Sequence, residues 1–128
     1  MKLEREMMRG AGPTAVMQLL ANQEMYGYEL VEALATQSKG IFEIGQSTLY
    51  PMLYNLEAKG MVASREKLGD NGRARRYYRL TAKGKKKLDQ DRAQWSALLE
   101  GMGALGVTRQ KQTSPAAGFG IAFDGGMA

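Results

Sequence analysis

Apolar and polar positions alternate along the chain in blocks that predict short helices, a hairpin and one long helix. Pro13 suits a first helical turn, where the amide proton it lacks would go unsatisfied anyway. Helix-favouring residues follow it, so a first helix is predicted over residues 13–21. Tyr26, Leu30, Val31 and Leu34 recur at helical spacing and Gly40 stops the pattern, which predicts a second helix over 26–38. Ile41-Phe42-Glu43-Ile44 is rich in strand formers, is bounded by Gly40 and Gly45, and predicts one short strand. A third helix is predicted from Ser47 or Thr48, either of which can cap amide protons, to about Lys59, with Gly60 as its terminal glycine. Leu49, Met52, Leu53 and Leu56 form its core face, so Ser47, Tyr50 and Tyr54 project from a different one. Pro51 is expected within the first turn, stiffening the part that carries Thr48 and Tyr50.

Residues 61–68 and 73–80 favour strands, and Gly69-Asp70-Asn71-Gly72 between them tolerates positive φ, which predicts a hairpin. Arg76, Tyr78 and Leu80 share one of its faces. Thr81 can cap a long fourth helix, where Leu88, Trp95 and Met102 repeat at seven residues, as do Leu98 and Leu105. No later element is available to cover this seam, so it implies a partner. Residues 113–128 are rich in Gly and Ala with one charge, Asp124, and predict a disordered tail whose apolar patch spans Phe119 to Phe123. No internal repeat is visible. The expected organisation is a unit of helices and hairpin over 1–81, a dimerisation helix over 82–106 and a tail over 107–128.

Composition narrows the chemistry. A chain of 128 residues holds one core. It has no cysteine and no histidine, which excludes disulfides, thiolate and imidazole metal sites, cysteine nucleophiles and histidine acid–base chemistry. No paired carboxylates share a face either, so the expectation is no enzyme, no metal and no cofactor. No run approaches the roughly 18 apolar residues that span a bilayer, and Met1-Lys2-Leu3-Glu4-Arg5-Glu6 does not read as a secretory signal. A cytoplasmic protein without membrane attachment is expected. The formal charge is +5, but between Ser64 and Lys87 ten basic residues face two acidic ones, leaving the remainder at −3. Concentrating cations in this way suits binding to a polyanion.

Three helices followed by a charged hairpin describe a mainly α fold with a small β-hairpin, the winged helix-turn-helix, extended by a long C-terminal helix. In such a module the third helix enters the major groove and the wing reaches phosphates or the minor groove. Asn71-Gly72-Arg73-Ala74-Arg75 suits that wing tip. Tyr77 and Tyr78 read as packing residues, because alternate wing positions must cover the helices. Lys83 to Lys87 is either a solvated helical turn or a further DNA contact. A module of this fold that binds protein or RNA is the alternative, and it would leave the wing arginines without use.

Four motifs, in order and spacing, resemble the PadR-type transcriptional regulators: Tyr26-Gly27-Tyr28-Glu29-Leu30, Ser47-Thr48-Leu49-Tyr50-Pro51-Met52-Leu53, Leu56-Glu57-Ala58-Lys59-Gly60-Met61-Val62, and Arg75-Arg76-Tyr77-Tyr78-Arg79-Leu80-Thr81-Ala82-Lys83-Gly84. The resemblance covers about Met8 to Leu105. It implies a homodimeric repressor whose single C-terminal helix packs on the partner's N-terminal helix, with Leu88, Trp95, Leu98, Leu99, Met102 and Leu105 in the interface. It also implies double-stranded DNA as the partner, contacted by Thr48, Tyr50 and Tyr54 and by wing residues Gly72, Arg73 and Arg75. Ser47 can donate from the same helix tip, and Tyr26 adds a phosphate contact. Trp95 resembles the tryptophan that drug-sensing relatives present to the dimer centre, which implies either a planar aromatic effector held near Trp95, Asp91, Gln94 and Leu98 or, with no effector, an ordinary interface anchor. Many relatives place a tryptophan just before the wing turn, where this chain has Arg65-Glu66-Lys67-Leu68.

Overall fold

The computed structural model describes residues 1–108, and the Gly- and Ala-rich stretch expected to be a disordered tail lies almost wholly outside them. Four helices and three strands follow in the order α1 (Arg5–Asn22), β1 (Met25–Tyr26), α2 (Gly27–Gln37), α3 (Gln46–Ala58), β2 (Val62–Leu68), β3 (Ala74–Leu80) and α4 (Ala82–Leu105). Two compact units result, Met1–Ala93 and a second that starts at Gln94. The fold is mainly helical with a small antiparallel sheet of order β1-β3-β2.

The hairpin forms as the turn residues dictate, pairing Val62 with Leu80 at one end and Leu68 with Ala74 at the other. Tyr78 and Leu80 point inward and are buried, while Arg79 between them is exposed. Together with Val62 they close a core that also contains Val16, Met17 and Leu20 of α1, Leu30 and Leu34 of α2, and Leu49, Leu53 and Leu56 of α3. The predicted core face of α3 is thus the observed one, with Met52 half-buried at its margin.

Three expectations about the helices and strands need correction. First, α1 begins at Arg5, eight residues before Pro13, which sits inside the helix. The methyl-free Gly12 beside it lets Met52 of α3 pack close, and Met8 is buried one turn earlier, so packing carries the helix through a proline that cannot bond the Arg9 carbonyl. Second, residues 41–44 are not a strand. The Phe42 amide donates to the Ser38 hydroxyl at 2.8 Å, and Phe42 and Ile44 pack on the core from a turn. The third strand is instead β1, whose Met25 and Tyr26 pair with Tyr78 and Tyr77. Third, Pro51 is the sixth residue of α3 and not part of its first turn, because the helix starts at Gln46 behind Gly45.

Helix ends and junctions set where the later elements lie. Gly60 takes φ +77° beyond α3 and the Met61 amide returns to the Leu56 carbonyl at 2.9 Å, the expected glycine-terminated helix. Thr81 then caps α4: its hydroxyl accepts from the Gly84 amide at 3.0 Å and donates to the Gly60 carbonyl at 2.7 Å, with the Met61 carbonyl 3.0 Å away. One hydroxyl therefore joins the end of α3 to the start of α4. Gly84 lies so close to Met61 that a methyl group there would overlap the Met61 carbonyl and approach the Leu80 side chain at 2.6 Å.

Leu88 also differs from expectation. It is 2% exposed and belongs to the core of the first unit, so it is not free to meet a second subunit. The seam that remains open begins at Trp95.

Beyond the buried Val62, Tyr78 and Leu80, ion pairs also tie the wing to the domain. Glu24 Oε1, just before β1, accepts from Arg65 Nη2 at 2.9 Å and from Lys67 Nζ at 2.7 Å, both on β2. These hydrogen bonds lower the Glu24 carboxyl to about 2 from its ordinary 4.5, and they raise the Arg65 guanidinium. The segment Arg65-Glu66-Lys67-Leu68 docks here through the ion pairs of Arg65 and Lys67.

Two outcomes are expected. Gly84→Ala should cost about 1–3 kcal/mol in urea denaturation, since the added methyl must displace a backbone carbonyl. For Glu24 the folded state holds the carboxyl below its unfolded value, so its stabilisation is full above pH 4.5 and is lost as pH falls through about 2. The stability gap between the wild type and Glu24→Gln should accordingly be constant near neutrality and close across that acid window in melts at stepped pH.

Candidate nucleic-acid interface

Helix α3 presents its amino-terminal end to solvent. Gly45 makes no side-chain cap there and its carbonyl takes the Thr48 amide at 3.1 Å, so the Gln46 and Ser47 amides remain for an outside acceptor, and the Ser47 and Thr48 hydroxyls are exposed beside them. Tyr54 follows on the same side and is 58% exposed. Tyr50 is only half-buried, stacked on Tyr54 with ring centroids 5.9 Å apart. Its phenol rests against Gly27 at the start of α2, where any side chain would overlap it. Tyr50 therefore locks α3 to α2 as well as lining the exposed face.

At the wing tip, Gly69 and Arg73 close the turn with an amide-to-carbonyl bond of 2.8 Å, and Gly72 takes φ +79°. The Asn71 side chain accepts from the Arg73 amide at 3.1 Å, which makes Asn71 a brace for the turn. Arg73 itself is exposed. Arg75 lies over the ring of Tyr26, its guanidinium carbon 4.3 Å from the centroid. Tyr26 meets Tyr77 edge to face at 5.4 Å, and Lys67 covers the far ring at 4.3 Å. Tyr26, read from sequence as a phosphate contact, thus supports Arg75 on a cation–π platform. Its amide also donates to Glu29 Oε1 at 3.1 Å, fixing the start of α2.

The basic excess of this region is partly spent within the chain. Arg65 and Lys67 pair with Glu24, and Lys87 pairs with Asp91 at 2.7 Å. Among the described residues no ion pair forms at Arg73, Arg75, Arg79, Lys83, Lys85 or Lys86. The unpaired cations are the wing tip, one outer strand position and the first turn of α4.

Sequence reading missed Arg76. Its Nη1 donates to the Ser64 hydroxyl at 2.9 Å, and that hydroxyl donates to Glu57 Oε2 of α3 at 2.6 Å. Arg76 Nη2 is also 4.0 Å from Glu66, its cross-strand partner. Strand alternation had already set Arg76 on the face of Tyr78. The missing information was that this face opens onto α3. Burial raises the Tyr78 phenol, with Tyr54, Glu57 and Tyr50 of α3 adding to the effect and Arg76 opposing it.

Of the residues expected around an aromatic effector, Asp91 is already engaged. Its Oδ2 accepts from the Thr14 hydroxyl at 2.8 Å and its Oδ1 from Lys87, so it ties α4 to α1. Gln94 and Leu98 are exposed and Trp95 is half-buried. Among the described residues no cluster of acidic side chains is placed to hold a metal ion, and no helix is long and apolar enough to cross a membrane.

Comparison with known proteins places this geometry. Residues 16–90 match the transcriptional regulator PadR-like family. A transcriptional regulator of Mycobacterium tuberculosis is 36% identical over 88 residues, spanning 69% of this chain and 78% of that one. The crystal structure of a PadR family transcriptional regulator from Eggerthella lenta superposes with TM-score 0.68 at 38% identity, covering 81% of this chain and 88% of the other. A transcriptional regulator from Clostridium thermocellum superposes with TM-score 0.71 at 25% identity over 80% of this chain and 96% of its own. With the family pattern running from the middle of α1 into α4 through every element of the winged helix, the chain belongs to the PadR-like transcriptional regulators, DNA-binding proteins and not enzymes.

Proposed function

We propose that this regulator is a cytoplasmic homodimeric repressor that reads a palindromic operator with α3 and clamps the flanking backbone with the wing. The exposed tip of α3, with Ser47, Thr48 and Tyr54, together with a wing whose Arg73 and Arg75 form no ion pair among the described residues, carries the reading. A helix that offers hydroxyls and free amides can bond base edges and phosphates, while arginines at a glycine turn reach phosphates or the minor groove. Gly72 allows the turn and Tyr26 steadies Arg75 from below. A protein-binding role for the same surface would leave these cations and hydroxyls facing an apolar partner.

Dimerisation rests on the second unit. Along α4, Leu98, Leu99 and Leu105 are 44%, 51% and 80% exposed, and Trp95 and Met102 are half-buried. A stripe of this kind on a helix is the surface that a second copy covers, and a twofold dimer matches a palindrome with two recognition helices.

Two results are expected. In fluorescence titrations, Arg73→Ala and Arg75→Ala should each weaken binding to every duplex alike and lower the salt dependence by about one phosphate contact. Thr48→Ala should instead narrow the gap between operator and random duplex, and an unchanged gap removes Thr48 from the reading surface. In sedimentation, the wild type should be a dimer at micromolar concentration, and Leu98→Lys combined with Met102→Lys should leave a folded monomer.

A further inference from the structure

The recognition helix and the wing are joined by a hydrogen-bonded chain that ends on a half-exposed cation. Glu57 is three residues beyond Tyr54 on α3, and its carboxylate accepts from the Ser64 hydroxyl of β2 at 2.6 Å. The same Ser64 oxygen accepts from Arg76 Nη1 of β3 at 2.9 Å. Ser64 has one proton to give, and giving it to a carboxylate leaves its lone pairs directed at the guanidinium, so the order of donors is fixed. Arg76 is 52% exposed and uses one of its five donors in this contact. Its other charged neighbour, Glu66, is 4.0 Å away and 68% exposed, a loose surface pair that does not consume the cation.

Building on the DNA-binding reading above, we propose that Arg76 is a further phosphate contact, aimed by Ser64 and Glu57 so that wing and recognition helix meet one duplex in a fixed relation. Arg76 does the contacting. Ser64 and Glu57 are positioning residues that act through it. The placement favours this role over a purely structural one, because the chain through Ser64 ties Arg76 to Glu57, one turn beyond the exposed Tyr54 on α3. A guanidinium held at one edge keeps its remaining donors in a planar fork suited to phosphate oxygens, with less freedom to lose on binding. A lysine at this position would supply charge without the fork.

The test uses the full chain and a duplex of mixed sequence, titrated at several salt concentrations. Arg76→Ala should lower affinity on the order of tenfold and reduce the salt slope by about one. Ser64→Ala leaves every charge in place, yet it should reproduce much of that loss, and Ser64→Thr, which keeps the hydroxyl, should bind as the wild type does. Combining Ser64→Ala with Arg76→Ala should be no worse than Arg76→Ala alone, the mark of two residues acting through one contact. Should Ser64→Ala fail to fold, Ser64→Cys takes its place in the cycle. If losses from the two sites add, the aiming role is overturned. If Arg76→Ala binds as the wild type does while Arg73→Ala is weakened, Arg76 makes no contact and the wider reading stands. A wild type without salt-dependent duplex binding would remove both.

Discussion

Tyr78 occupies the centre of the sheet, on the middle strand, with Met25 opposite it on one side and Ser64 on the other. Its ring is among the largest fully buried side chains of the chain. Three elements are therefore referred to one residue: the lead-in to α2 through β1, the returning wing strand, and α3, whose Leu49, Leu53 and Leu56 belong to the same core cluster. An aromatic ring in a packed interior has few alternative positions. Seating it fixes where the wing leaves the body and which side of α3 faces outward.

The outward surface inherits its order from that seat. Tyr50 stacks on Tyr54 and pushes its phenol into the space that Gly27 leaves open, so the exposed face of α3 is braced from behind. On the outer side of the sheet, Arg75 lies on Tyr26, Tyr26 on Tyr77, and Tyr77 under Lys67, while Glu24 draws Lys67 and Arg65 inward. Cations on one strand face would ordinarily repel one another. Here aromatic rings and one carboxylate separate them, which lets a small domain carry a dense positive surface without splaying its hairpin.

Much of this arrangement could be read from the sequence, and the exceptions have a common cause. The core face of α3, the hairpin and the Thr81 cap rest on local signals: helical spacing, a turn of Gly, Asp and Asn, and a hydroxyl three residues before a free amide. The start of α1 rests on distant packing, since Gly10, Gly12 and Pro13 disfavour a helix locally and only Met52 of another helix makes Gly12 useful. Residues 41–44 carry strand formers because Phe42 and Ile44 plug the core, and apolar content alone does not separate a plug from a strand. For the interface, Thr48 and Arg73 were legible as exposed polar groups near glycine or a helix start. The engagement of Arg65, Lys67 and Asp91 was not, because their partners Glu24 and Thr14 are far away in sequence.

The junction at Thr81 has a mechanical consequence. Where helices meet through side chains, a small rotation of one can be absorbed by rotamer changes before the other feels it. Between Gly84 and Met61 there is no such cushion: the backbone of α4 bears directly on the carbonyl that leads into β2, and a single hydroxyl bolts both to the end of α3. The first turn of α4 is therefore seated on the root of the wing and on the end of α3 with no side chain between them, so the place of each element is set by the backbone of the others.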